Sequence, residues 1–146
     1  DSIKNWYKIY GSRGFVQYQF IVPINNGKEC IYKILKFMNK NNFLSSLCVL
    51  KLHEKNNENY LSFPKLGYSL AMDFPLNDKT IIYLNEIDRM VLEYGGRVYL
   101  TKDGRLDKDY FNKFYPSIKQ LLDTKVKYKI FNFSSKQSKR HGINEK

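Results

Sequence analysis

The chain is poor in the residues that most often announce chemistry or staple a small fold. It carries two cysteines and two histidines among 146 residues. Cys30 and Cys48 fall inside apolar-periodic segments with no C-x-x-C spacing, which excludes a zinc-ribbon pattern and a disulfide framework and fits a reducing compartment. His53 and His141 each stand alone in polar surroundings, so no metal-ligand set and no Ser-His-Asp arrangement can be drawn; the expected metal content is none. No apolar run approaches the ~18 residues a bilayer span requires, and no charged n-region precedes an apolar h-region. The expectation is therefore a protein of the cytoplasm, or one peripheral to the inner face of the membrane. Gly95 and Gly96 close a helical pattern instead of opening one, so the dinucleotide-binding fingerprint is missing as well. Acid is also scarce: 14 Asp+Glu against 25 Lys+Arg leave a formal charge of +11. Such a balance attracts phosphates, nucleic acid or an anionic membrane surface, although the abundance of Lys, Asn, Ile and Tyr reads equally as compositional bias.

What is present is a core. Hydrophobic residues make up 42% and aromatics 16% of the chain, more than a disordered segment supplies, and the length suits one domain. Residues 1–133 are expected to form that domain and residues 134–146 a basic, solvated tail.

Along the chain, GFVQYQFIVP (14–23) alternates as a strand, and Cys30, Ile31, Ile34, Leu35 and Met38 recur at helical spacing over about Lys28 to Asn41. SSLCVLKL (45–52) reads as a second strand and Tyr68 to Phe74 as a third. Asn77 or Asp78 caps a second helix whose stripe is Ile81, Leu84, Ile87 and Val91, and RVYLTK (97–102) reads as a fourth strand. A short helical segment capped by Asp107, another short helix and a strand-like KVKYKIFNF follow; in that last run Lys125, Lys127 and Lys129 would share one strand face. The order strand, helix, strand, strand, helix, strand is the split βαβ arrangement of an α+β, ferredoxin-like antiparallel sheet, with helices on one face, an open ligand-facing side and a C-terminal helical and strand extension.

Alternation places Val16, Tyr18, Phe20 and Val22 under the helices and Phe15, Gln17, Gln19 and Ile21 on the open side. The first and third strands are central in this topology, so Gln17 and Gln19 meet Ser69, Ala71 and Asp73 in the middle of that face. Two carboxamides around a small residue suit a flat ligand. GGRVYLTKDGR (95–105) adds Arg97, Tyr99, Lys102, Asp103 and Arg105 as donors for an anionic or polyhydroxylated ligand, and Lys51 interrupts an apolar strand. An RNA-recognition domain shares this topology and basic charge. It would carry aromatics where Gln17, Gln19, Ser69 and Ala71 stand, so no nucleic-acid partner is expected.

GFVQYQFIVP, VLKLHEKNNENYLSFPKLGYSLAMDFPL and GGRVYLTKDGR together resemble the C-terminal half of the flavin-linked sugar and polyol oxidases of the vanillyl-alcohol-oxidase superfamily, and among these most closely the decaprenylphosphoryl-ribose 2′-oxidases. The resemblance runs from about Tyr10 to Tyr115, with a weaker echo in FSSKQSKRHGI. It implies a substrate-side, or cap, domain that works against FAD, with the FAD phosphates held by a domain outside this chain, so that the piece alone is inactive. It implies oxidation of a secondary hydroxyl of a sugar or polyprenyl-phosphate sugar by hydride transfer to flavin, in cell-envelope polysaccharide chemistry, with a reductase partner for epimerisation and peripheral membrane contact. Lactone or alditol oxidation in the same superfamily is the alternative. Residue by residue, the resemblance assigns Gln17 and Lys102 to the cofactor, Lys102 and Gln19 to catalysis, and Gln19, Lys51, Ser69, Ala71 and Tyr99 to substrate. Some members carry Cys and Asn at the positions of Ala71 and Ser69, so the pocket here has smaller walls. Strict alternation would turn Lys102 to the helix face, and the reading therefore expects the fourth strand to end or bulge near Thr101.

Overall fold

The computed structural model describes residues 4–143. Four strands, β1 (Phe15–Pro23), β2 (Leu47–His53), β3 (Gly67–Pro75) and β4 (Arg97–Val98), form one antiparallel sheet in the order β2-β3-β1-β4. Helix α1 (Ile24–Lys40) links β1 to β2 and α2 (Asp78–Glu93) links β3 to β4, and α3 (Lys108–Phe114), α4 (Ile118–Lys127) and α5 (Lys136–Arg140) follow. This is the expected ferredoxin-like order, with the two longest strands, β1 and β3, in the middle.

The alternation in β1 and β3 decides which face is dry. Tyr18, Phe20 and Val22 join Leu70, Met72 and Phe74 against Cys30, Ile34 and Met38 of α1 and Leu84, Ile87 and Val91 of α2. Phe20 and Phe74 are fully buried, and each contributes roughly 2–3 kcal/mol of apolar transfer free energy. Pro23 stands at the N-cap of α1, where its fixed φ and missing N–H cost nothing, so the helix starts four residues earlier than apolar spacing suggests. Asn77 caps α2 by accepting from the Thr80 amide at 2.8 Å, and Gly95 ends it with φ +68°, a conformation that disfavours side chains.

Three sequence expectations change. The fourth strand stops at Val98. One more ladder bond, from the Tyr99 amide to the Gln19 carbonyl at 2.7 Å, is followed by a 3-10 turn over Leu100–Lys102. The expected strand KVKYKIFNF does not form. Helix α4 runs through Lys127 and Lys129 has φ +53°, so Lys125, Lys127 and Lys129 do not share a strand face. Helical packing of Ile118, Leu121 and Leu122 against the core overrides the local alternation.

The third change is the C-terminal segment, which docks where a solvated tail was expected. Ser135 and Ser138 form a capping box at the start of α5. At its other end, Arg140 donates to the Asp103 carboxylate at 2.6 Å, and His141 lies 3.1 Å from the same oxygen while stacking on Phe111 at 4.2 Å. Gln137 donates to the Leu100 carbonyl at 2.6 Å. Residues 144–146 lie outside the described part.

Candidate functional site

The face of the sheet away from α1 and α2 is built in rungs by strand register. One rung joins Leu47, Asp73 and Gln17; the next joins Val49, Ala71 and Gln19; the third joins Lys51, Ser69, Ile21 and Arg97. The sheet thus brings together Gln17, Gln19, Lys51, Ser69 and Ala71, drawn from three separate strands. Gln19 donates to the Ser69 hydroxyl at 3.3 Å, which also lies 3.0 Å from His53 Nε2. A chain of polar groups, Gln19, Ser69 and His53, therefore crosses the central strand pair, with Lys51 exposed beside it.

Tyr99 reaches the same face. Its ring packs 4.6 Å from Phe63, which in turn meets His53 edge-on. The Lys102 amide bonds the Tyr99 carbonyl at 3.1 Å, which closes the turn that follows β4.

The face is less open than expected. Gln19, Ser69 and Asp73 are 5%, 0% and 6% exposed, and Ala71 8%. Phe63 from the loop between β2 and β3 covers part of it, and Tyr10 covers another part by stacking on Phe15 at 4.5 Å and donating to Asp73 at 3.4 Å. Sequence reasoning missed His53, Phe63 and Tyr10. The signal for His53 was available, because it continues the alternation Leu47, Val49, Lys51. Phe63 carried no periodic signal.

The donors of GGRVYLTKDGR do not act as one set. Arg105 turns to the helix side, where it pairs with the Asp88 carboxylate at 2.6 Å and bonds Asn85 at 2.6 Å, with its guanidinium 5.4 Å from the Tyr18 ring. Tyr18 donates to Asp88 at 2.7 Å. Burial pushes the Asp88 carboxyl up to about 6 against the pull of Arg105 and Tyr18, and burial beside Asp88 raises the Tyr18 phenol. Asp103 is committed to the Leu106 and Arg105 amides and to Arg140 and His141. Burial raises its carboxyl, but these donors outweigh it and hold Asp103 well below the usual carboxylate range. Both acids are structural. Arg97 donates to the Ser62 carbonyl at 2.5 Å, which ties the loop that carries Phe63 to β4.

Among the described residues, no three His, Cys, Asp or Glu side chains come together as a metal site, and no helix is long and apolar enough to cross a membrane. The arrangement is a partly roofed, cationic and carboxamide-rich sheet face, able to donate hydrogen bonds to a flat polar ligand.

No protein-family model matches the chain. The chain is 38% identical over 122 residues to a decaprenylphosphoryl-beta-D-ribose oxidase of Mycolicibacterium smegmatis, an alignment that takes in 84% of this chain and 26% of that protein. The chain thus spans about a quarter of the length of the curated relative it matches, consistent with a counterpart of that enzyme's C-terminal domain. The resemblance read from the strand motifs is shown: this chain is a relative of a domain-sized part of a decaprenylphosphoryl-β-D-ribose oxidase.

Proposed function

We propose that the chain is the substrate-side domain of an FAD-dependent oxidoreductase that oxidises a secondary hydroxyl of a polyprenyl-phosphate-linked sugar, with the FAD phosphates held by a domain outside this sequence. The observation that carries the reading is the gathering of Gln17, Gln19, Ala71, Lys51 and Ser69 on one sheet face, in a chain 38% identical over 122 residues to a decaprenylphosphoryl-beta-D-ribose oxidase.

The donor set fits a flavin ring. Ala71 leaves a shallow centre, flanked by carboxamides that offer both donors and acceptors, and Lys102 would supply a cation from the turn that follows Tyr99. Bound flavin would supply the acceptor for the hydride. In this reading Gln17 and Lys102 face the cofactor, and Lys102 offsets negative charge that develops there. Gln19 and Tyr99 orient the carbinol so that its C–H leaves as hydride and its O–H proton is lost, yielding a ketone. Lys51 holds the remaining hydroxyls or the phosphate, while Ser69, fully buried, acts through its contact with Gln19. His53, one hydroxyl away from Gln19, joins them as a positioning residue for Ser69.

Two surfaces support the proposed setting. Leu47, Val49, Leu50 and Leu52 of the edge strand β2 are exposed on both faces, an apolar area suited to a packed neighbouring domain. Val126, Tyr128, Ile130, Phe131 and Phe133 are also exposed and alternate with Lys125, Lys127 and Lys129, a composition that favours an anionic membrane surface where a polyprenyl-phosphate substrate resides. A reductase that returns the ketone to the epimeric alcohol completes the proposal.

The test is anaerobic reduction of the flavin in the complete oxidase by polyprenyl-phosphoryl ribose. Lys102→Met is expected to slow reduction by roughly 100-fold or more, the scale on which a single charge-stabilising donor acts. Reduction at the unmodified rate would remove Lys102 from the site. Lactone or alditol oxidation would show as reduction by those soluble substrates instead.

A further inference from the structure

A second basic site lies at the far end of β4, where nothing in the proposed flavin chemistry uses it. A cavity of about 340 Å³ is lined by Lys65, Arg97 and Lys113 with Tyr60, Tyr115 and Ser117. Three cations line it and no carboxylate does, and none of the three makes an ion pair among the described residues. Lys65 donates to the Gly95 carbonyl at 2.8 Å, and Arg97 lies 5.7 Å from the Tyr115 ring. The Lys113 ammonium rests over the Tyr110 ring at 5.2 Å, on a stem long enough to turn inward.

Two features set the place apart. Arg97 is half-buried, and its guanidinium, which donates to the Ser62 carbonyl, makes no ion pair among the described residues. Burial and the charge of Arg97 hold the Lys65 ammonium below its ordinary range, and burial lowers Arg97, so the protein keeps two mutually repelling cations together without a counterion. The second feature is the ten-residue helix α4. Its N-cap Ser117 lines the cavity and makes no capping hydrogen bond, which leaves the hydroxyl and the positive end of the helix dipole available there.

We propose that this cavity is a binding site for a phosphate group, held by Arg97, Lys65 and Lys113 at the N-terminus of α4. The volume exceeds what a bare oxyanion fills and leaves room for the first atoms esterified to it. Arg97 also holds the Ser62 carbonyl, so an occupied site would order the loop that carries Phe63 over the sheet face. The site stands independently of the flavin reading, because its test needs neither cofactor nor oxidation.

The experiment is a thermal-shift titration of the chain with inorganic phosphate against sodium chloride at matched ionic strength, repeated with farnesyl phosphate below its micellar concentration. Saturable stabilisation by phosphate beyond chloride is expected. In Lys65→Met/Lys113→Met the apparent affinity should fall at least about tenfold, as expected for the loss of charge-assisted contacts. A Lys36→Met control, which removes an exposed charge from α1, should respond as the unmodified chain does. Tighter binding of farnesyl phosphate would identify the headgroup of a lipid-linked ligand, and equal binding a soluble phosphate; both outcomes support the site. Equal melting in phosphate and chloride would overturn it. So would a phosphate response that survives in the double variant. Since no charge pair is lost in that variant, it should melt cooperatively in chloride, and Arg97→Lys, which keeps the charge but loses the planar fork, should weaken the phosphate response; an unchanged response in it would take Arg97 out of the site.

Discussion

Asp103→Asn removes one charge and almost no volume, and its effect can be worked out from the geometry. The Asp103 carboxylate is 2% exposed and receives Arg140 at 2.6 Å and His141 at 3.1 Å, besides the Leu106 and Arg105 amides at 2.7 and 3.0 Å. An asparagine keeps an oxygen for the amides but loses the ionic partner of Arg140. Breaking a buried pair costs about 3–5 kcal/mol; Arg140 remains 30% exposed and retains the Leu106 carbonyl, so the lower end, about 3 kcal/mol, applies. For a chain of this length that is a fall in Tm of roughly 10 °C. The pH dependence is more diagnostic than the size. Asp103 sits below its unfolded pKa of about 3.9, so its contribution is complete above that pH and is lost as pH falls through the folded value. Asp88 works in the opposite sense: its folded pKa of about 6 lies above the unfolded one, so its contribution to stability declines as pH rises from about 4 to about 6. Asp103 is the smallest of the influences that raise or lower Asp88, so most of that contribution is common to both proteins, and the difference in Tm between wild type and Asp103→Asn reports mainly on Asp103. Circular-dichroism melts at a series of pH values should show a constant gap above pH ~5 that narrows below pH ~4. Amide exchange at His141, Gly142 and Ile143 should quicken as α5 releases. A gap below about 1 kcal/mol, or one that widens in acid, would refute the reasoning.

Three further expectations follow from single contacts. Tyr18→Phe deletes the 2.7 Å donor to Asp88 and should cost about 2 kcal/mol in urea unfolding, with unchanged stability as the contrary result. Gly67→Ala places a Cβ 2.0 Å from the Val22 carbonyl oxygen, a backbone clash at the start of β3 that should cost roughly 3 kcal/mol or more and be read as a lowered urea midpoint. The exposed Cys48 should react with a thiol reagent in the native state, whereas Cys30, buried and pushed up to about 12, should react only as the protein unfolds; prompt labelling of two thiols would contradict its placement on the buried face of α1.

The architecture was legible because β1, β3, α1 and α2 each have one clear period and agree with the order of a split βαβ fold. The central rungs followed, since alternation fixes faces and topology fixes neighbours. The misreadings arose where tertiary contacts outvote local pattern. RVYLTK has strand composition, yet the Tyr99 to Lys102 turn is held by Asp103 and by Gln137 of α5, whose positions no local window reveals. KVKYKIFNF alternates like a strand, but its first half continues a helix anchored by Ile118. The roof over the sheet, Phe63 and Tyr10, comes from aperiodic segments and was invisible for that reason. The lysine-rich surface could be seen, but not which lysines converge. Lys65, Arg97 and Lys113 are distant in sequence and meet only at the end of β4.

A flavin-linked sugar oxidation is decided by the visible spectrum and mass of the native polypeptide that contains this chain, isolated from its source cells, before and after anaerobic addition of polyprenyl-phosphoryl ribose. The expected result is a species much larger than 17.4 kDa with flavin bands that bleach on addition. A colourless species of the chain's own mass would contradict it, and so would a flavoprotein whose bands do not respond to any sugar or polyol alcohol.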